Sequence, residues 1–527
     1  MRSTATTTTI VAAVLLRACV SLHGYSGEGV PPMYGDFEAQ RHWMEVTVNL
    51  PAERWYVHGP DNDLQYWGLD YPPLSAHFSW AVGRLAQAWH PQLVALHASR
   101  GHESAETRAF MRRSVLVADL LVFVPAALAF ARLPAAAGGG GGAPTRTLAL
   151  LLLSPPLVLV DHGHFQYNCV SLGLALWALV AALSGRPLAC CVAFSLSLNF
   201  KQMGLYLAPA VFCYLLAGVL RTRGVGLAAS RFCALGAVTS LTFAACWAPF
   251  LASATPYDST LAVLRRVFPT SRSLYEDKVA NVWCTMALLP PLKLKAGPPG
   301  RTRSPRPPPA DGTLLTPAGQ ARARGAAAAL ARMHARRTPP ALRAAAARAL
   351  APRFPALRDG VRPRLLPPLL PVHEKHLLLP LLPAALLSTE HPRAYAWFAL
   401  LAAFSMFPLL ARDGLRLAYS VCQLAFGALA AALTPPMEVG GSATAGGLLL
   451  AASLAGMVAL HVAEAALPPP RRYPDLHAVA FSAYACCHLV GAYAACLHAL
   501  WRTTATAPPH TPLDGGGTTV RERRKAE

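Results

Sequence analysis

Gly35-Asp36-Phe37-Glu38-Ala39-Gln40-Arg41-His42-Trp43, continued by Trp67-Gly68-Leu69-Asp70-Tyr71-Pro72-Pro73, carries the densest polar and aromatic chemistry in the chain. Both pieces lie in one long non-spanning loop, residues 23–112, which an apolar run (6–22) precedes and another (114–133) follows. A charged loop framed by runs of membrane-crossing length reads as the mouth of a polytopic membrane protein. A hydrocarbon core of ~30 Å needs about 20 apolar residues per helix.

The rest of the chain repeats that pattern. Apolar runs recur at 146–160, 168–184, 187–200, 203–220 and 233–251, and again at 376–390, 393–411, 417–435, 446–467 and 479–501. Charged residues make up 14% of the 527 and the mean hydropathy is +0.35, too polar-poor for a soluble protein of this size. The expected fold is therefore all-α, a polytopic transmembrane helical bundle. Within the first loop, Asp36 to Val48 and Ser75 to Trp89 have helical patterning. With Trp43, Trp55, Trp67 and Trp80 nearby, they read as short amphipathic helices in the membrane interface.

The net charge of +21 invites a nucleic-acid reading, which its distribution excludes. Between Lys293 and Arg364 stand sixteen Lys and Arg against only Asp311 and Asp359, so two thirds of the excess sits in one segment. That segment, 293–365, is rich in Arg, Pro and Ala, and no window of membrane length in it is free of charge. It reads as a disordered or mis-joined stretch, or as a lineage-specific loop. The twelve Cys fall mostly inside apolar runs and show no C-x-x-C pair, so they read as small membrane-interior residues. Arg17 interrupts the first apolar run and no small-x-small cleavage site precedes Tyr25, which favours a retained span over a signal peptide.

This gives a first span (1–22), a large loop (23–112), a bundle (113–292) with a second polar loop (252–280), the atypical segment (293–365), a C-terminal bundle (366–501) and a tail (502–527). Placing Arg221-Thr222-Arg223 and the basic tail in the cytoplasm puts the loop 23–112 on the far side. The ends at Asp161–Asn168, Asn199–Gln202 and Leu264–Lys278 fall on that same face, and so does His373-Glu374-Lys375 if 293–365 contributes zero or two spans.

Several residues there have chemistry to offer. Asp36 can act as a general base in a partly dry site or cap the helix it precedes. Asp70 before Tyr71-Pro72-Pro73 can serve a substrate or simply an Asx-turn. His162 and His164 stand two apart, which separates them on any regular element and argues against a metal. Arg265, Arg266, Lys278, His373 and Lys375 supply cations suited to a phosphate, or to headgroup contact. No Walker loop, dinucleotide fingerprint or nucleophile elbow is present. The residues alone fit a lipid-linked group transferase, a polyprenyl-lipid transporter or a non-catalytic subunit, although no inverted repeat supports the transporter.

A resemblance narrows this. Tyr34–Glu45, Gln65–Leu74, His164-Phe165-Gln166-Tyr167-Asn168, Lys201-Gln202-Met203, Arg266-Val267-Phe268-Pro269, Glu276–Cys284 and Val372-His373-Glu374-Lys375 resemble the dolichyl-phosphate-glucose-dependent glucosyltransferases of the endoplasmic reticulum. The resemblance implies a GT-C type bundle with a lumenal active site and a multi-pass place in the endoplasmic reticulum membrane. It implies inverting transfer of glucose from dolichyl phosphate glucose to a dolichyl-pyrophosphate-linked oligosaccharide, with no metal or other cofactor. It makes Asp36 the catalytic base. Glu38, Arg41, His42, Trp67, Asp70, Arg265, Arg266, Lys278, His373, Glu374 and Lys375 become substrate-binding positions. Gly68 and the run Glu38–Trp43 favour the member that adds the first α-1,3-linked glucose to Man9GlcNAc2 over the one that adds the second. Members of the family carry two spans where this chain has 293–365.

Overall fold

The computed structural model describes residues 2–133, 143–268, 377–434 and 442–505. Among them the only β-type pairing is an isolated bridge between Gly59 and Asn62. Helix α1 (Arg2–Val20) leads into the first loop, which holds α2 (Asp36–Asn49) and α3 (Pro73–Trp89). Then come α4 (Ala105–Leu121), α5 (Phe123–Ala131), α6 (Ala143–Leu152), α7 (Pro155–Val158) and a π-helical segment, Leu159–Phe165. They are followed by α8 (Asn168–Leu183), α9 (Pro187–Phe200), α10 (Ala208–Leu220), α11 (Val225–Leu251) and α12 (Pro256–Val267). The C-terminal half holds α13 (Leu378–Ala384), α14 (Leu387–Glu390), α15 (Pro392–Ser405), α16 (Phe407–Arg412), α17 (Arg416–Leu433), α18 (Ser442–Ala466) and α19 (Leu476–Ala505).

Six of these stretches are long and apolar enough to cross a membrane: Ala105–Ala131, Ala143–Phe165, Val225–Leu251, Arg416–Leu433, Gly447–Ala466 and Leu476–Cys496. The chain is a multi-pass membrane protein built as an all-α bundle. Ala143–Phe165 runs through the middle, with 78% of its most apolar window buried, whereas only 11% is buried for Val225–Leu251 and Gly447–Ala466 on the outside. Several expected spans are broken, each near a proline. The 146–160 run breaks at Ser154-Pro155-Pro156, the 376–390 run after Pro383, and the 393–411 run at Met406 before Pro408. A proline lacks the N–H that the ladder needs, and its ring obstructs the carbonyl one turn back.

Arg17 is fully buried. Its Nε lies 2.5 Å from Asp119 Oδ2 in α4, and one of its amino groups donates to the Leu152 carbonyl at 2.7 Å. His162 Nε2 reaches the same Asp119 oxygen at 2.9 Å. Removing α1 would leave Asp119 buried without its cation, so this helix is an integral part of the packing.

The two loop helices form where expected but sit differently. On α3, the small residues Ser75, Ala76, Ser79, Val82, Gly83 and Ala86 are buried at helical spacing, while Trp80, Leu85 and Trp89 are exposed, as an interfacial helix requires. A Cβ at Gly83 would stand 2.7 Å from Val48 of α2, so glycine there permits the close approach of the pair. Helix α2 is not interfacial: every residue from Phe37 to Thr47 is buried. Trp43 and Trp55 are buried too, in a second core with Tyr56, Leu69, Phe250 of α11, and Val263 and Val267 of α12. Their indole N–H groups donate to the Trp67 and Leu50 carbonyls, which lets them leave the interface at no hydrogen-bonding cost.

Candidate active site

Gly35, not Asp36, is the N-cap of α2. The Asp36 N–H donates to Ser26 Oγ at 3.2 Å, and a Cβ on Gly35 would meet the Ser26 carbonyl oxygen at 2.4 Å. Asp36 thus opens the helix as its first residue, where a carboxylate is favoured by the helix dipole. Its side chain remains available for contacts outside the helix.

Those contacts come from the π-helical segment. The His164 Nε2 atom lies 3.1 Å from Asp36 Oδ2, and Gln166 Nε2 donates to the same oxygen. The other ring nitrogen, His164 Nδ1, lies 2.5 Å from Oδ2 of Asp413, just beyond α16. Side-chain exposure is 19% for Asp36, 2% for His164 and 3% for Asp413, so Asp36 is the open end of an Asp–His–Asp row. Wide π turns recur at functional sites, and here the turn aims successive residues in different directions. Asp161 accepts from Asn168 Nδ2 and the Cys169 N–H. His162 faces Asp119, and His164 faces Asp36. Phe165 then takes φ +89°, a strained value for an aromatic residue, and the reversal delivers Gln166. Arg112 ties the turn down by donating to the His162 and Gly163 carbonyls at 2.6 and 2.8 Å and to the Gly24 carbonyl at 2.9 Å.

Glu38, Arg41 and His42 lie inside the loop domain. Arg41 grips Glu38 with two bonds, at 2.6 and 2.7 Å, reaches Glu45 at 2.8 Å, and donates to Ser99 Oγ and the Leu93 carbonyl. Glu38 also accepts from the Tyr66 hydroxyl and the Gly101 N–H. His42 Nδ1 sits 3.2 Å from Glu45. Burial pushes Glu45 up, but the bond to His42 and the charge of Arg41 outweigh it and hold the carboxyl down at about 2. Burial opposes the charge on Arg41, and Glu38 and Glu45 reverse that and raise its pKa. Burial, then the charge of Glu38, push the Tyr66 hydroxyl up. The network fastens α2 to the segment 93–101.

Trp67 is half-buried with φ +50°, and its indole N–H donates to the Met33 carbonyl. Arg266 of α12 donates to the Gly68 and Leu69 carbonyls at 2.7 and 3.0 Å, and Gln202 Nε2 donates to the Asp70 carbonyl at 3.2 Å. Arg266 and Gln202 therefore shape the turn that presents Asp70. Arg265 is exposed. Lys278, His373, Glu374 and Lys375 lie outside the described residues.

Four residues that the site reading of the sequence passed over stand at the centre of this arrangement. His164 and Gln166 stood in one of the stretches that carry the family resemblance, but no role was assigned to either. Asp413 had no signal beyond a charge between two apolar runs. Lys201, the fourth, is 4% exposed, donates to Asn168 Oδ1 at 2.6 Å and sits 4.6 Å from the centre of the Tyr71 ring. Its stretch, Lys201-Gln202-Met203, carries part of the family resemblance, and a lysine directly after an apolar run is the signal that could have given it a role.

Taken together, a buried carboxylate row with one open end and a buried cation, set in a multi-span bundle, suit acid–base chemistry on a membrane-linked substrate. Sequence comparison makes this specific. A model of the ALG6, ALG8 glycosyltransferase family matches residues 13–306 and 371–496, and the chain belongs to that family. The unmatched 307–370 fall within or beside the Arg/Pro/Ala-rich stretch. The chain is similar to the dolichyl pyrophosphate Man9GlcNAc2 alpha-1,3-glucosyltransferase of Gallus gallus, at 37% identity over 92% of this chain and 94% of the relative. The rat protein of the same name is 36% identical over 92% and 94%. The probable Arabidopsis thaliana counterpart is 39% identical over 79% and 72%.

Proposed function

We propose that this chain is an inverting glucosyltransferase that adds an α-1,3-linked glucose to lipid-linked Man9GlcNAc2, with dolichyl phosphate glucose as donor and the endoplasmic reticulum membrane as its site. The names of its relatives support the acceptor and the linkage. The observation that carries the mechanism is the setting of Asp36, a carboxylate held by His164 and Gln166 at the open end of a buried row.

Asp36 removes the proton from the acceptor mannose hydroxyl as its oxygen forms a bond to the anomeric carbon of glucose. The bond from that carbon to the phosphate oxygen breaks, its electron pair leaves with dolichyl phosphate, and configuration inverts. An α product from a single displacement requires a β-linked donor. A positioned base accelerates such a step by roughly 10²–10⁴-fold. Glu38, Arg41, His42 and Glu45 act by fixing α2, and so the position of Asp36. Asp70 acts on the turn that Arg266 holds.

The test is Asp36→Asn in the full chain, assayed for transfer of labelled glucose from dolichyl phosphate glucose to the lipid-linked acceptor. The expected result is loss of transfer with unchanged membrane insertion. Wild-type activity in that variant would refute Asp36 as the base.

A further inference from the structure

The first loop holds five tryptophans, and four have a plain structural place. Trp43 and Trp55 are 4% and 5% exposed in the second core, and Trp80 and Trp89 face outward on α3. Trp67 has neither place. Its side chain is half-buried and outside that core, at a backbone φ of +50° that a bulky residue rarely adopts. The chain is fastened around it. The Trp43 indole N–H donates to the Trp67 carbonyl at 2.8 Å, and Arg266 takes the next two carbonyls. A Cβ on Gly68 would stand 2.7 Å from Leu64 Cα, so the turn closes tightly behind the indole. Packing alone would gain more from burying that ring, as it does for Trp43 and Trp55.

The strained residues gather around Asp36. Among the described residues, Tyr34, Trp67, His97 and Phe165 are the ones other than glycine with positive φ. His97 joins the Glu45 network through its N–H. The other three surround the carboxylate. Tyr34 stands two positions before Asp36, and Phe165 lies between its partners His164 and Gln166. Trp67 donates its indole N–H to the Met33 carbonyl, three positions before Asp36. Three residues of chain span at most about 11 Å, so the indole lies beside the open end of the row. Strain of this kind persists where function uses it.

What the surface there offers is apolar and uncharged. The Trp67 N–H is taken by Met33, which leaves the ring its face. Met33 is 39% exposed, and Pro31 and Pro32 are exposed before it. A ring face suits the C–H face of a neutral sugar and gives a phosphate nothing to bond. An oligosaccharide meets Asp36 from outside the bundle, and the sugars behind its reacting hydroxyl must rest on protein.

We propose that Trp67 is the platform on which the acceptor oligosaccharide stacks, through the sugars next to the one whose hydroxyl Asp36 deprotonates. The assignment rests on the glucosyltransferase reading above. It makes Trp67 a determinant of acceptor binding, separate from the base.

The experiment measures glucose transfer by the full-length protein in nanodiscs, with the lipid-linked acceptor varied at saturating dolichyl phosphate glucose. Trp67→Leu should raise acceptor KM about 10–30-fold, the worth of an aromatic anchor, with kcat and donor KM little changed, the mark of lost binding that is equal in ground and transition states. Trp67→Phe keeps a ring face and loses the N–H, so it should recover most of the loss. Wild-type acceptor KM in Trp67→Leu would overturn the proposal. So would Trp67→Phe as poor as Trp67→Leu, or a fall in kcat at unchanged KM, either of which would reduce the indole to a prop for Met33 and Asp36. If Trp67→Leu fails to insert, hydroxyl-radical footprinting of the wild-type protein decides: the lipid-linked acceptor should protect Trp67 and Met33 where dolichyl phosphate does not. Oxidation undiminished by the acceptor, or diminished equally by both lipids, refutes the assignment. Failure of the glucosyltransferase reading shows separately, as wild-type protein that transfers no glucose to the acceptor at any concentration.

Discussion

Replacing Asp413 by Asn should slow glucose transfer without weakening acceptor binding, although Asp413 belongs to the other half of the chain from Asp36. The side chain is 3% exposed and reaches the site through one contact, Oδ2 to His164 Nδ1 at 2.5 Å. Asn keeps the shape and can still accept from Nδ1–H through its carbonyl, so what is lost is the charge. A bond to a charged group is worth about 1.5–3 kcal/mol and a neutral one about 0.5–1.5. The difference, about 1–2 kcal/mol, corresponds to roughly a 5–30-fold fall in kcat. His164→Gln removes the imidazole partner of Asp36 Oδ2 and leaves Gln166. It should cost about 1.5–3 kcal/mol, roughly 10–150-fold. Because Asp413 acts through the imidazole, the double variant should be no slower than His164→Gln alone, within about 0.5 kcal/mol. The assay is the initial rate of labelled glucose transfer by purified full-length protein, with acceptor varied to separate kcat from KM. If Asp413→Asn costs the same factor with His164 present or absent, or raises acceptor KM instead of lowering kcat, the row does not position the base.

Two further outcomes follow from the buried networks. Arg17→Leu should destabilise the bundle by about 3–5 kcal/mol, because it strands the Asp119 carboxylate. Arg17→Leu/Asp119→Leu should recover most of that in a detergent melt, and a single variant as stable as the double would contradict the pairing. Glu45 should make the loop domain acid-sensitive. Its folded pKa, about 2, lies below the ordinary 4.5, so it binds a proton more weakly folded than unfolded. That contribution is present above about 4.5 and is lost as pH falls towards about 2. The melting temperature should drop over that window, and Glu45→Gln should flatten the dependence; an identical slope in the variant would refute it.

How much of this was legible beforehand varied with the kind of interaction. Asp36 was legible as a helix-start carboxylate in a polar loop, but the sequence left an N-cap and a base equally open. The structure gives the cap to Gly35 because Ser26 leaves no room for a side chain there. Glu38, Arg41 and His42 were expected to bind substrate because their run resembles the family's first-loop motif. Crowding at i, i+3 and i+4 is what an internal ion network needs, and with Ser99, Gly101 and Tyr66 closing around them they form one. Trp43 and Trp55 looked interfacial, yet the carbonyls that accept their N–H groups come from the loop itself.

The sequence by itself determined that this is a many-span helical membrane protein with its polar chemistry at one end. Apolar runs of membrane length are a local property, and water and lipid sort them without reference to the rest of the chain. The first loop's motifs also carried its family. Only the tertiary structure decided which polar residues meet: His164 with Asp36 and Asp413, 128 and 249 positions away, Arg266 with the Gly68 carbonyl, 198 positions away, and Lys201 with Asn168 and Tyr71. The physical reason is that a buried polar group must find its partner in space, and the partner's place along the chain leaves no periodic trace.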